Sequence, residues 1–369
     1  MSVERQALIW LVALAAFCFI LELLGSAVTP FAAGIVLGYL LDPVVRRLQR
    51  FGFSRLAASL TILVFAVLAI TMVLVVVTPI LGNQLIGFTQ KLPGYVVRLQ
   101  SLAIDEGSAL IQRYGGEWRN SLGLGNSLST EQIQKSISDF VGQGVQWLLN
   151  ALRSLASGGA ALVSFFSLII VTPVVAFYIL VDWSKMIATL DSWLPLDHRD
   201  SLRKIAAEIN HALAGFIRGQ SLVCLFLGVW YGLGLTLIGL DFGFLIGVIA
   251  GVLSFIPYVG SLTALVLSLG VGLVQGWPNL ELFFLALGVV GVGQFLEGNI
   301  ISPMLVGESI GLHPVWLMFS LFAFGELFGF TGLIIAVPTA AALGVLMRHL
   351  IGLYLKSPLY LGAGARENP

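Results

Sequence analysis

The sequence is poor in charge, and the poverty is uneven. Only 10% of its 369 residues are Asp, Glu, Lys or Arg, against roughly 25% in an ordinary soluble domain. From Gly219 to Met347 there is no Lys or Arg at all, although Asp241, Glu281, Glu297, Glu308 and Glu326 all fall in that run. A stretch so free of cations argues against a nucleic-acid partner. It also disfavours an anion gripped by cationic side chains within that half, and favours a neutral polar ligand, a cation or a proton. Cysteine is nearly absent too: Cys18 and Cys224 each sit inside an apolar run and read as small buried hydrophobes, with no disulfide or metal framework. The four histidines are scattered, and His198 and His211 lack partners at metal-ligand spacing. There is no His-Glu-x-x-His, no Gly-x-Ser-x-Gly and no Gly-rich phosphate loop ending in Lys, so the chain does not read as an enzyme or an ATP-driven pump and calls for no cofactor or metal.

What the sequence has instead is apolar length. Hydrophobic residues make up 58% of it and its mean hydropathy is +0.97, which places it in a bilayer as an all-α, polytopic membrane protein of about eight transmembrane helices. Residues 1–79 hold the first three: Ala7 to Leu24 as an uncleaved span, a second segment to Leu41 whose Gly34 and Gly38 let another backbone approach closely, and Leu56 to Thr78. Between the last two, Arg46, Arg47, Arg50 and Arg55 stand against one acid, so that loop is cytoplasmic by the positive-inside rule. Residues 80–155 are mixed in charge with helical apolar spacing, and Ser129 to Gln132 resemble a capping box; they form an extramembrane helical insert. Residues 156–182 are the fourth span, interrupted at Pro173.

Residues 183–218 read as an amphipathic helix along the cytoplasmic surface, with an elbow at Arg218, Gly219 and Gln220. Residues 219–350 supply the remaining spans, broken around Pro257 and Gly260 and again near Gly329 and Pro338. Residues 351–369 are a tail, and Arg348, His349, Lys356 and Arg366 place it in the cytoplasm with the N-terminus. Faint internal echoes suggest a repeat: Thr29 and Pro30 with Asp42 downstream resemble Thr172 and Pro173 with Asp182, and Pro257 resembles Pro338.

The richest stretch is 294–314. It holds two prolines, three glycines and two glutamates among other polar residues, too many breakers for an uninterrupted helix and too much polarity for lipid contact. It is expected as a re-entrant loop or broken helix at a transport site, with an ordinary loop outside the bilayer as the alternative, since Gly and Pro punctuate both. Its candidate pathway residues are Gln294, Glu297, Asn299, Ser302, Glu308, Ser309 and His313, joined by Glu326. Pro173, Pro257, Gly260, Pro303 and Pro338 are candidate hinges.

Tyr39, Asp42 and Pro43, then Phe177, Tyr178 and Asp182, then Arg218 to Gln220, Ile256 to Gly260, Glu297 to Pro303, Gly311 to Pro314, and Gly329 to Pro338 follow one another in an order and spacing that resembles the AI-2E family of bacterial inner-membrane transporters. The insert carries little of this likeness. The resemblance implies a multi-pass inner-membrane protein of eight helices assembled as a homo-oligomer such as a pentamer. It also implies export of autoinducer-2, a small sugar-like quorum-sensing signal, in some members and sodium or lithium/proton antiport in others. Three functions stay open on the residues: an exporter of a small polar molecule, an antiporter working through intramembrane glutamates, and a non-transporting oligomeric scaffold.

Overall fold

The computed structural model describes residues 29–121, 159–305, 313–355 and 360. The described elements are all helical. They are α1 (Thr29–Arg50), α2 (Arg55–Ser121), α3 (Gly159–Ser192), a 3-10 turn (Leu196–His198) and α4 (Arg199–Leu237), followed by α5 (Gly243–Leu253), α6 (Val259–Gly276) and α7 (Glu281–Leu296). A π turn (Glu297–Ile301) then leads into α8 (Ser302–Leu305), α9 (Pro314–Gly329) and α10 (Gly332–Leu355). Six described helical stretches are long and apolar enough to cross a membrane, beside two shorter apolar helices, α5 and α9. Helices are what lipid demands, because each satisfies its own backbone polar groups. The side chains of α2 from Leu60 through Val64, Phe65, Leu68 and Met72 to Val75 stand exposed and apolar, as a lipid-facing helix requires.

The chain separates into two compact units: residues 1–72, 163–223 and 297–369, and residues 73–162 and 224–296. In the first, α1 and α3 lie side by side and parallel. Thr172 Oγ1 donates to the Pro30 carbonyl at 3.2 Å, Gly34 lies on Val175, and Gly38 lies on Ile179. A Cβ added at Gly34 would come 2.6 Å from that of Val175, so the small-residue seam expected from sequence is a packing seam. It also pairs the two echoing Thr-Pro motifs with one another. At the helix ends Arg55 Nε donates to the Leu180 carbonyl at 2.8 Å and its Nη1 to Ser184 Oγ at 2.7 Å, closing a core of Val45, Ala58 and Leu180. Asp191 accepts from Arg199 and from two nitrogens of Arg203, which ties the end of α3 to the start of α4.

Three sequence boundaries fall inside helices. α2 passes Pro79 and Pro93 without ending, and at 1.5 Å per residue its 67 residues reach about 100 Å, so the 79/80 boundary is no helix end. α3 likewise runs through Pro173. A proline removes one hydrogen bond and bends a helix, but the turns on either side can carry it on. The elbow expected at Arg218 to Gln220 does not form: α4 is one helix from Arg199 to Leu237, and Gly219 and Gln220 are buried in it. The amphipathic half is therefore continuous with the apolar half.

The second unit is organised around a hairpin. α5 has 11 residues, or about 16 Å of helix, half of a hydrocarbon core of roughly 30 Å. Its backbone packs directly on that of α4, Gly247 against Gly232 and Gly251 against Gly228. After Ser254 the chain turns, Tyr258 adopts a left-handed φ of 69°, and Gly260 packs on the Ser254 backbone. α6 then returns: Gln275, near its end, accepts from the Asp241 N–H at 2.7 Å and donates to the Gly239 carbonyl at 2.9 Å. The stretch expected to cross with a break at 255–260 instead comes back to where it began, because a glycine at 260 leaves room for the reversal. α9 and α10 repeat the device in the first unit. At Gly329 the backbone leaves helical geometry (φ 59°, ψ −140°), and Gly332 and Leu333 pack back on Phe324 and Gly325.

Candidate functional site

Within the 294–314 stretch, residues 294–305 stay helical. α7 does not stop at Gln294. It widens into the π turn Glu297–Ile301 and resumes as α8, giving a continuous helical stretch from Glu281 to Leu305. A π turn absorbs an extra residue while keeping the helical path, and such turns recur at functional sites. Gln294 Nε2 donates to the hydroxyl of Tyr231 at 2.9 Å; Tyr231 is fully buried against Gly293, where a Cβ would meet its ring. Glu297 and Ser302 are half-buried, and Asn299 and Pro303 are exposed. Glu308 and Ser309 lie outside the described residues. His313 is exposed and its Nδ1 accepts the Val315 N–H at 3.3 Å, capping α9, whose first residue is Pro314. Proline suits that position, where its missing N–H leaves nothing unsatisfied, so here it starts a helix. Glu326 is exposed on α9. Of the candidate hinges, Pro257 and Gly260 sit at a backbone reversal, whereas Pro173, Pro303 and Pro338 sit inside helices.

A cavity of about 340 Å³ that the site reading from sequence missed lies in the first unit, lined by α1, α3 and α4. Tyr39, Asp42 and Arg46 face it from α1, Trp183 from α3, and Asn210 and Arg218 from α4. The Tyr39 hydroxyl donates to Asn210 Oδ1 at 2.9 Å, and the Trp183 ring meets Tyr39 edge-on at 5.7 Å. Arg218 Nε donates to the Tyr39 carbonyl at 3.1 Å, and Arg46 Nε pairs with Asp42 Oδ2 at 2.7 Å. The signal was available: Tyr39, Asp42 and Arg218 belong to the motifs that carry the family resemblance. Nothing in their spacing says that three helices bring them together.

A second polar cluster closes the base of the α5–α6 hairpin. Lys91 Nζ and the Tyr95 hydroxyl both donate to Asp241 Oδ2 at 2.7 Å, and Gln84 Oε1 accepts the Leu245 N–H at 2.8 Å. The Phe242 ring sits under Lys91 Nζ at 5.5 Å and meets Phe88 edge-on at 5.3 Å. Partial burial pushes the Asp241 carboxyl up, but the hydrogen bonds from Lys91 and Tyr95 and the ammonium charge together outweigh it and hold the group below its ordinary range. Among the described residues no three His, Cys, Asp or Glu side chains gather as metal ligands.

Comparison with known proteins adds the context that this geometry lacks. The chain is 29% identical over 322 residues to YrrI of Bacillus subtilis (strain 168), covering 87% of this chain and 86% of that one. It is 28% identical over 328 residues to YueF of the same organism, covering 88% and 84%, and 29% identical over 337 residues to PerM of Escherichia coli (strain K12), covering 91% of each. The first two are named, provisionally, as transport proteins and the third as a permease, none with a cargo. The model of the family described as AI-2E family transporter matches residues 8–352. With that match along nearly its whole length and six described helical stretches long and apolar enough to cross a membrane, the chain belongs to the AI-2E transporter family.

Proposed function

We propose that the protein exports a small, uncharged polar molecule of the autoinducer-2 type across a bacterial inner membrane, working as a homo-oligomer with both termini in the cytoplasm. The observation that carries this reading is the polar run built into apolar helix. Gln294 is bonded to the buried Tyr231 hydroxyl, and one turn later the helix widens at Glu297 to Ile301. A hydroxyl-rich cargo needs such donors and acceptors, and the lack of any Lys or Arg from 219 to 347 suits one without charge. Irregular helix at membrane depth is expected where protein buries it or a wet cavity meets it. Glu308, Ser309, His313 and Glu326 complete the proposed path, and the glycine-framed reversals at 254–260 and 329–332 are its proposed bending points. The test is flux in liposomes. Wild type should move autoinducer-2 down its gradient, and Gln294→Leu with Asn299→Leu should lower the rate at least about tenfold, the worth of one well-placed hydrogen bond pair. Liposomes that leave autoinducer-2 and small polyols unmoved overturn the reading.

Glu297 favours a second reading. A half-buried carboxylate on the π turn could take up a proton as access alternates, giving sodium or lithium/proton antiport. Cation-driven proton movement in the same liposomes that disappears in Glu297→Gln would select antiport over export.

A further inference from the structure

We infer that the cavity among α1, α3 and α4 is a phosphate-binding site, distinct from the cargo path, that takes the phosphate of an anionic phospholipid head group or of a soluble phosphate ester. What the cavity can hold follows from the hydrogen-bonding capacity its polar atoms have left. Both guanidiniums are anchored through Nε, Arg218 to the Tyr39 carbonyl and Arg46 to Asp42 Oδ2. That fixes the plane of each fork and leaves the paired Nη edges for a ligand. Asn210 has its Oδ1 engaged by the Tyr39 hydroxyl, which leaves the amide N–H groups. His211 also lines the space. The nitrogens left over on Arg46, Arg218 and Asn210 are therefore donors, with Asp42 Oδ1 the one carboxylate acceptor opposing them. These donors, set in an otherwise largely apolar wall, call for a ligand that brings acceptors, and a planar fork suits a phosphate better than any other common anion save a carboxylate.

Charge and position agree. Arg46 and Arg218 against Asp42 leave one net positive charge among these three side chains. Exposed basic side chains, Lys185 on α3 and Arg203 on α4, lie beyond the cavity at one end, and basic pockets between helices can hold acidic lipid. Trp183 and Tyr39, residue types that gather at head-group depth, pack together in its wall. Arg218 is the last Lys or Arg before the cation-free run from Gly219 to Met347.

The test uses the purified full-length protein in nonionic detergent, with thermal stabilisation and native mass spectrometry as readouts. Phosphatidylglycerol, phosphatidylcholine, glycerol 3-phosphate and inorganic phosphate are the probes. The expected result is stabilisation by phosphatidylglycerol above phosphatidylcholine, weakened about tenfold in Arg46→Gln and Arg218→Gln, one charge-assisted contact each. Arg203→Gln, equally basic but outside the cavity, should bind as wild type does. A response to glycerol 3-phosphate as well as lipid assigns the site to soluble phosphate esters; a response to lipid alone assigns it to head groups. Arg218 also braces α1, so if its variant fails to fold, Arg46→Gln, at an exposed position, decides. No response to any probe, or equal loss in Arg203→Gln, overturns the proposal. Flux of autoinducer-2 is a separate assay, so either proposal can fail while the other stands.

Discussion

Asp42 and Asp241 keep the same kinds of company. Each has a tyrosine, a primary amide and at least one cationic side chain within its cluster. Around Asp241 every one of these groups is turned inward on the others: Lys91 and Tyr95 meet on a single oxygen, and Gln275 clasps the backbone on either side of Leu240. Around Asp42 the partners are held at their edges, and some 340 Å³ of space remains between them. The first arrangement fastens a turn. The second leaves donors facing a void, and the contrast shows that residue types alone do not separate a brace from a receptor; what separates them is whether the geometry uses up the hydrogen-bonding capacity.

The largest loss is expected at the scaffold beneath the Asp241 cluster. Gly247→Val would drive a side chain into the Gly232 backbone, which cannot yield as a flexible side chain would, and the loss should exceed about 3 kcal/mol. Size-exclusion profiles should show aggregated or absent protein. Next is the cluster itself. Asp241→Asn removes an ion pair and weakens the Tyr95 hydrogen bond, at roughly 1 to 2 kcal/mol for partly exposed groups, read as a lower melting temperature in detergent.

Acidity sharpens the point. The folded-state pKa of Asp241 is depressed, so its contribution is present above the unfolded value near 4 and is lost as pH falls through the lower folded value. Wild type and Asp241→Asn should therefore differ by a constant amount near neutrality and converge on acidification below about pH 4. An unchanged gap there would mean that Lys91 and Tyr95 do not stabilise the charged form. The smallest effect belongs to the cavity. Asn210→Ala, in a receptor instead of a brace, should move the melting temperature by an amount worth no more than about 1 kcal/mol. A large destabilisation would place the Tyr39–Asn210 bond with the braces.

Much of the architecture could be read from the residues, since apolar runs of spanning length, arginine-rich turns and the Gly34 and Gly38 seam all rest on local periodicity and composition. The direction of a broken span could not. Pro257 and Gly260 announce irregular backbone, but whether the chain proceeds or returns depends on Gln275 reaching Asp241, a contact 34 residues apart. Pro314 misled for a related reason: the same residue ends one helix and opens another, and only its neighbours decide. Within the candidate path, Gln294 was legible as a polar residue in apolar surroundings, whereas its partner Tyr231 sits in another helix where nothing marks it. The cavity was harder still, because Tyr39, Asn210 and Arg218 are separated by up to 179 positions and each alone looks like an ordinary interfacial residue.

The glycine contact between α4 and α5 limits what can move. Side chains between two helices allow them to slide by changing rotamer, but Gly228 and Gly232 meet Gly251 and Gly247 with bare main chain, and there is nothing in that contact to readjust. The pair must travel as one plank. Any opening in this part of the molecule is therefore confined to the tip around Pro257 or to the outer surfaces of the plank, and spin labels placed on α4 and α5 should keep a fixed separation however many states the rest of the protein visits.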